Sequence, residues 1–329
     1  MTRFVLGGYG PALGVVNLGP EGFGTPVEVA AAASPSFVVA SADGRFVYAV
    51  LEGDDGRVGA WTVTDEQPWA ALGEQPTGGA APCHLALSPD GRWLVTANYL
   101  SGSVCVHPVL GDGSLGARTD LVEHHGTPGP HADRQDGPHA HQVAFADDGL
   151  LVCDLGLDEI VGYRLDDGRL TELARSAMPA GSGPRHLVLD GVTAYVLGEL
   201  SSTVTVCDVA GLVLTPRQTV SLRGPDAQGE NTAAEVVLVG DRVLGSNRGD
   251  DTVAVLTRAD GDLLRLDDTI PCGGSWPRWM GEVDGTVLVA NERSHEVLLL
   301  APDGGSWAEA SRVAWPSPTC LATLGGPRP

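Results

Sequence analysis

The stretch 130-PHADRQDGPHAHQ-142 holds three of the chain's nine histidines, together with Arg134 and two aspartates. Imidazole, guanidinium and carboxylate so close together supply a base that works near neutral pH, a permanent cation and an acceptor. That set suits proton transfer beside an anion. His84, Arg185-His186, Glu199, Glu235, Asn247-Arg248 and Arg278-Trp279 bring the same residue types back along the chain. His139 and His141 lie two apart, a spacing that puts both on one side of a strand. With Glu235 or Asp154 as a third ligand they would outline a metal site, but no H-x-x-x-H pattern or cysteine partner accompanies them. No metal and no cofactor is assigned. A G-x-S-x-G elbow is absent and Ser201-Ser202 has no evident triad, so covalent serine catalysis is the weaker chemistry.

Composition narrows the field further. The formal charge is −22 and every one of the 20 basic residues is arginine. Schiff-base chemistry and lysine bases are therefore excluded. A strongly negative field disfavours nucleic acid as a partner. The N-terminus carries no signal-length apolar core, and no apolar run reaches membrane-spanning length. Cys83, Cys105, Cys153, Cys207, Cys272 and Cys320 are widely spaced inside apolar runs, which reads as buried free thiols of a cytoplasmic protein.

The elements that position these residues show as internal repeats. Segments starting at 35-PSFVV, 82-PCHLAL, 138-PHAHQV, 184-PRHLVL, 234-AEVVL, 277-PRWMG and 318-PTCLA align. Taking Ser36, His84, His141, His186, Glu235, Trp279 and Cys320 as markers gives a mean spacing of about 47 residues, in the range of propeller blades. Each unit reads as four strands, a to d, separated by D-G or G turns and polar loops. The last unit stops after its first strand. Residues 3–10, 14–18 and 26–32 match the missing b, c and d.

The fold expected is all-β: one seven-bladed β-propeller over residues 1–329, with four-stranded blades. Residues 1–33 complete the last blade with 318–326, so N-terminal strands pair with the C-terminal strand and close the ring. In that topology the d–a and b–c loops share one face. Arg134, His139, His141, Arg185, Glu235 and Arg278 fall in the first set, and Asn98-Tyr99, Asp154, Asp158, Glu199, Arg248 and Glu292 in the second. Asp154 and Asp158 read as turn caps. His124, His125 and His131 read as part of a mobile, solvated loop. The other face carries ordinary turn sequence.

The stretches 134-RQDGPHAHQV-143, 183-GPRHLVL-189, 198-GELSSTV-204, 246-SNRGDDTVAV-255 and 273-GGSWPRWM-280 resemble the lactonase family of seven-bladed propellers along the full chain. That family includes propeller-type 6-phosphogluconolactonases and fungal carboxymuconate lactonizing enzymes. The resemblance implies catalytic roles for His141, Arg185, Glu199 and Arg248, with Arg278 as an addition. Asn291-Glu292-Arg293 departs from the family's more usual Asn-Gln.

The activity expected is hydrolysis, or reversible formation, of a small anionic lactone. His141 or Glu199 would move the proton, and the arginines would hold the anion and the carbonyl. His84, His139, His186, Glu235, Arg134, Asn247, Trp279 and Arg278 are the expected substrate contacts. A cycloisomerase acting through the same residues, and a non-catalytic propeller platform, are the alternatives.

Overall fold

The computed structural model describes residues 1–259, 263–304 and 306–325. Among them the chain forms seven antiparallel sheets and no helix. Strands a and b, which position the site, span Val38–Ala40 and Phe46–Leu51 in blade 1, Pro82–Leu87 and Trp93–Asn98 in blade 2, and Ala140–Ala146 and Gly149–Asp154 in blade 3. Blade 4 uses Pro184–Asp190 and Thr193–Gly198, blade 5 Ala233–Val239 and Arg242–Asn247, and blade 6 Pro277–Val283 and Thr286–Asn291.

Blade 7 takes a from Pro318–Leu324 and b from Thr2–Gly8, followed by Ala12–Gly19 as c. Val27–Ala31 pairs with that c strand, as does the short Gly22–Phe23. The closing register runs from Arg3 opposite Leu324 to Gly7 opposite Cys320. Residue 326, at the edge of the expected closing segment, lies outside the described residues.

The a–b hairpins show how local sequence sets the geometry. In Ser41-Ala42-Asp43-Gly44-Arg45 the Asp43 carboxylate accepts from Ser41 Oγ at 2.7 Å and from the Arg45 N–H at 3.1 Å. Ser88-Pro89-Asp90-Gly91-Arg92 repeats the arrangement at 2.5 and 3.1 Å. Gly44 and Gly91 take φ of 69° and 71° there, a region glycine enters without steric cost.

Each gap between neighbouring blades holds its own apolar cluster. Tyr195, Leu197 and Val204 of blade 4 pack on Val236, Val243 and Ala254 of blade 5, and the other six gaps repeat the pattern. Each large side chain fully buried this way contributes roughly 1.5–3 kcal/mol. All six cysteines are buried and unpaired, as the sequence led us to expect. Among the described residues no helix is long and apolar enough to cross a membrane.

The a strands neighbour one another around the axis, and each begins with a bulge against b in blades 2 to 7. This bulge corrects two of the marker residues. His84, His186 and Trp279 pair opposite Ala97, Leu197 and Ala290. In blade 3 the equivalent position is Gln142, opposite Cys153, while His141 sits in the bulge and matches Cys83, Arg185 and Arg278. In blade 1 it is Phe37, whose carbonyl accepts from Val50 N, rather than Ser36. An extra residue at a bulge leaves no trace in apolar alternation, so the sequence alignment slipped by one.

Candidate active site

Seven equivalent residues follow the last residue of each b strand: Tyr9, Glu52, Tyr99, Leu155, Glu199, Arg248 and Glu292. Each donates its backbone N–H to a carbonyl just ahead of its own blade's a strand, at 2.8–3.1 Å, as from Glu199 to Gly183 and from Arg248 to Thr232. One face of the propeller thus presents a ring of pinned side chains. The bulge residues of the a strands, including His141, Arg185 and Arg278, lie beside it.

Glu199 is the centre of one cluster. Its Oε2 lies 2.8 Å from Arg248 Nη2 and 3.1 Å from Arg185 Nε, and its Oε1 accepts from Arg134 Nη2 at 2.5 Å. Glu199, Arg185 and Arg248 are buried, whereas the Arg134 side chain is 42% exposed and forms the open edge of the cluster. Burial alone would raise the Glu199 pKa, but Arg248, Arg185 and Arg134 outweigh it and pull it down to about 2. Burial lowers Arg185, and brings Arg248 to about 10 against the pull of Glu199. Both remain charged at neutral pH. The backbone helps to hold them: Arg185 Nη1 donates to the Ala234 carbonyl, and Arg248 Nη2 to that of Ala233 at 2.9 Å. Three guanidinium groups face one carboxylate, so two positive charges stay unmatched.

His141 is buried, with its ring 5.1 Å from that of His186 and 5.8 Å from that of Tyr99. Its Nδ1 has no hydrogen-bond partner. Burial first, then Arg185, hold its pKa well below the usual histidine value, so the ring is neutral. His186 Nδ1 meets Glu235 Oε1 at 2.7 Å. Burial pushes Glu235 up to about 8 and holds His186 well below its ordinary value. Both directions favour a neutral pair in which the Glu235 carboxyl donates to Nδ1. A small cavity touches His186, Glu235, Arg185, Arg278, Trp279, Glu52 and Cys83, with about 10 Å³ open to the centre of a water molecule. That is room for about one water.

The structure brings His141, Arg185, Glu199, Arg248, Arg134, His186 and Glu235 onto one face, as the topology led us to expect. Other expected contacts are occupied elsewhere. His84 Nδ1 accepts from Val143 N at 3.4 Å and its ring lies 4.1 Å from Phe37, which ties two inner strands together. His139 engages the Tyr99 carbonyl at 3.0 Å and Asp136 at 2.9 Å, and stacks on the Tyr99 ring at 4.5 Å.

Asn247 is fully buried and bonds Leu222 O, Thr252 Oγ1 and Asn231, so its amide caps the b–c turn. Trp279 lines the cavity wall and packs into two of the interblade clusters. Asp154 accepts from the backbone of His139 and Leu157, and Asp158 from Gly181 and Gly183, so both cap turns. Among the described residues no group of three His, Cys, Asp or Glu is placed to hold a metal. His124 corrects the loop reading: it is 1% exposed and its Nδ1 lies 2.6 Å from Asp154 Oδ2.

Sequence reasoning missed Tyr9 and Glu52. Arg278 Nη2 donates to Tyr9 Oη at 2.7 Å, and Tyr9 Oη donates to Glu52 Oε1 at 3.3 Å. Their position directly after strand b, shared with Glu199 and Arg248, was the available signal.

A closed seven-bladed propeller with a ring of charged side chains at one mouth of its axis is the class that this fold and site define. A family model described as "Lactonase, 7-bladed beta-propeller" matches residues 22–323, and the chain belongs to that family. It is 30% identical over 308 residues to the 6-phosphogluconolactonase of Bacillus subtilis, covering 88% of this chain and 87% of the relative. Among solved structures, a Lactobacillus plantarum protein superposes with TM-score 0.91 at 30% identity, covering 98% of this chain and 99% of that one. The Pseudomonas aeruginosa periplasmic gluconolactonase PpgL gives TM-score 0.90 at 28% identity and 99% coverage of both chains.

Proposed function

We propose that the chain hydrolyses a small anionic lactone at the mouth of the axial channel, with 6-phosphogluconolactone the first substrate to try. The observation that carries this reading is the convergence of Arg134, Arg185 and Arg248 on the single carboxylate of Glu199. Two surplus positive charges in a largely dry site favour a ligand with negative charge and a transition state that develops more of it. Arg134, on the open edge, meets the anionic group, and Arg185 and Arg248 face the ring carbonyl. Planar guanidinium forks held by a carboxylate and by backbone carbonyls need no reorganisation as the oxyanion forms.

Water attacks the carbonyl carbon and His141 takes its proton. Collapse of the tetrahedral intermediate breaks the ring C–O bond, and the departing alkoxide recovers that proton to give the hydroxy acid. Glu199, both of whose oxygens face guanidinium groups, serves as the counter-charge that orders the arginines. That differs from the sequence expectation, which left His141 and Glu199 as equal candidates.

Initial rates on a panel of lactones test the reading, with acid release as the signal and labelled water to show solvent oxygen entering the new carboxylate. Arg185→Ala and Arg248→Ala should each lower kcat by roughly 10²–10³, and His141→Ala by roughly 10²–10⁴. Folded variants that keep wild-type turnover would remove these residues from the chemistry. Conversion without solvent oxygen would replace hydrolysis by cycloisomerisation.

A further inference from the structure

On the opposite arc of the ring from Glu199 stands a second polar cluster, which the proposed chemistry leaves unused. Tyr9, Glu52 and Glu292 occupy ring positions of blades 7, 1 and 6, and Arg278 lies among them. Arg278 Nη2 donates to Tyr9 Oη at 2.7 Å, and its guanidinium carbon lies 5.2 Å from the centre of the Tyr9 ring. Tyr9 Oη in turn donates to Glu52 Oε1 at 3.3 Å. Arg278 Nη1 comes only to 3.6 Å from Glu292 Oε2, beyond hydrogen-bond reach.

The result is an arc short of donors. Glu52 Oε2 and Glu292 Oε2 are both buried with no hydrogen-bond partner. Leaving a carboxylate oxygen in that state costs roughly 1–3 kcal/mol or more. Glu52 and Arg278 of this arc line the same small cavity as Arg185 of the arginine cluster. We infer that Glu52 and Glu292 are specificity-determining residues that accept hydrogen bonds from hydroxyl groups of the ligand, at the end away from its anionic group.

Charge favours hydroxyl over ammonium as the donor. Arg134, Arg185, Arg248 and Arg278 stand against Glu52, Glu199 and Glu292, which leaves the ring one positive charge in excess. An ammonium would add a second cation next to Arg278, whereas a hydroxyl supplies the missing hydrogens without charge. The substrate class is then a polyhydroxylated anionic lactone, and hydroxyl-free lactones of the same charge are discriminated against. This rests on the lactonase reading only for where the anion sits.

Calorimetric affinities separate the two claims, because binding needs no turnover. The probes are 6-phosphogluconate and 6-(phosphonooxy)hexanoate, which share phosphate and carboxylate but differ in hydroxyl groups. Each is titrated into wild type, Glu52→Ala, Glu292→Ala and the near-isosteric Glu52→Gln and Glu292→Gln. Wild type should prefer the hydroxylated acid by at least about tenfold, since a site built to bond a hydroxyl rejects the analogue lacking it.

In the Ala variants that ratio should fall toward one, and the Gln variants, which keep one acceptor oxygen, should retain part of it. If an Ala variant does not fold, its Gln counterpart reads the same ratio. The inference is overturned by a wild-type ratio near one, by a ratio that survives every substitution, or by equal weakening of both acids. The last outcome would mean that the carboxylates only hold Arg278 in place. A normal ratio that collapses in the variants, in a protein that opens no lactone, would sink the hydrolase reading and leave this one standing.

Discussion

At Glu199 burial and charge pull in opposite directions, and the sign of the outcome is measurable. Its pKa of about 2 in the folded chain lies below the ordinary 4.5, so the native state binds fewer protons than the unfolded one at mildly acid pH. The stabilisation is therefore complete above about 4.5 and is lost as pH falls through 2, amounting to about 3 kcal/mol. Glu199→Gln should be clearly less stable than wild type in urea at pH 7, with three guanidinium groups left without their counter-charge. The gap should narrow as pH falls below about 4.5 and close only near pH 2, and a gap that holds constant with pH would show that the carboxylate charge contributes nothing. The sequence placed Glu199 on the face where the structure has it but did not show its partners. Its partners come from three separated segments, and only the folded ring reveals that all three forks meet one carboxylate. Tyr9 and Glu52 were missed because the loops that face them, Ser34-Pro35 and Ser317-Pro318, carry no Arg or His to draw attention.

Elements hold these residues by a device that repeats around the ring. Asn98, Asn247 and Asn291 end strand b in blades 2, 5 and 6, and each is fully buried. Asn247 Nδ2 donates to the Leu222 carbonyl at 2.8 Å and Asn291 Nδ2 to that of Cys272 at 3.1 Å, which ties the b–c turn to the segment following strand d. Asn247→Ala would take from the Leu222 carbonyl its side-chain donor and from the Asn231 amide one of its two acceptors. We expect a loss of about 2–4 kcal/mol in urea unfolding, with Arg248, one residue on, losing its position and turnover falling even below the melting transition. A loss under about 0.5 kcal/mol would make the asparagine incidental. The strands themselves were legible, because apolar runs bounded by D-G turns leave little else for the chain to form. The bulge at the head of strand a was not, since one extra residue changes the facing of His141 without altering the run around it.

The whole molecule adds a constraint that no single blade contains. Closure pairs Val5 with Ala322 and Leu6 with Leu321 across the seam, and the truncated last repeat together with the surplus N-terminal strands predicted it. Charge is also a whole-molecule property, and here it opposes the site. The chain carries −22 overall, while the cluster around Glu199 has two more guanidinium groups than carboxylates. At low ionic strength the Debye length is about 30 Å at 0.01 M, so an approaching anion feels the repulsive surface before it reaches the arginines. At 0.15 M the length is about 8 Å, and the distant carboxylates are screened while the buried cluster is screened much less. Raising salt from 0.01 to 0.15 M should therefore increase kcat/KM for an anionic lactone several-fold and leave an uncharged lactone nearly unaffected. A steep fall for the anion would mean that long-range attraction guides the substrate, and that the arginines project their field well beyond the mouth instead of acting only within it.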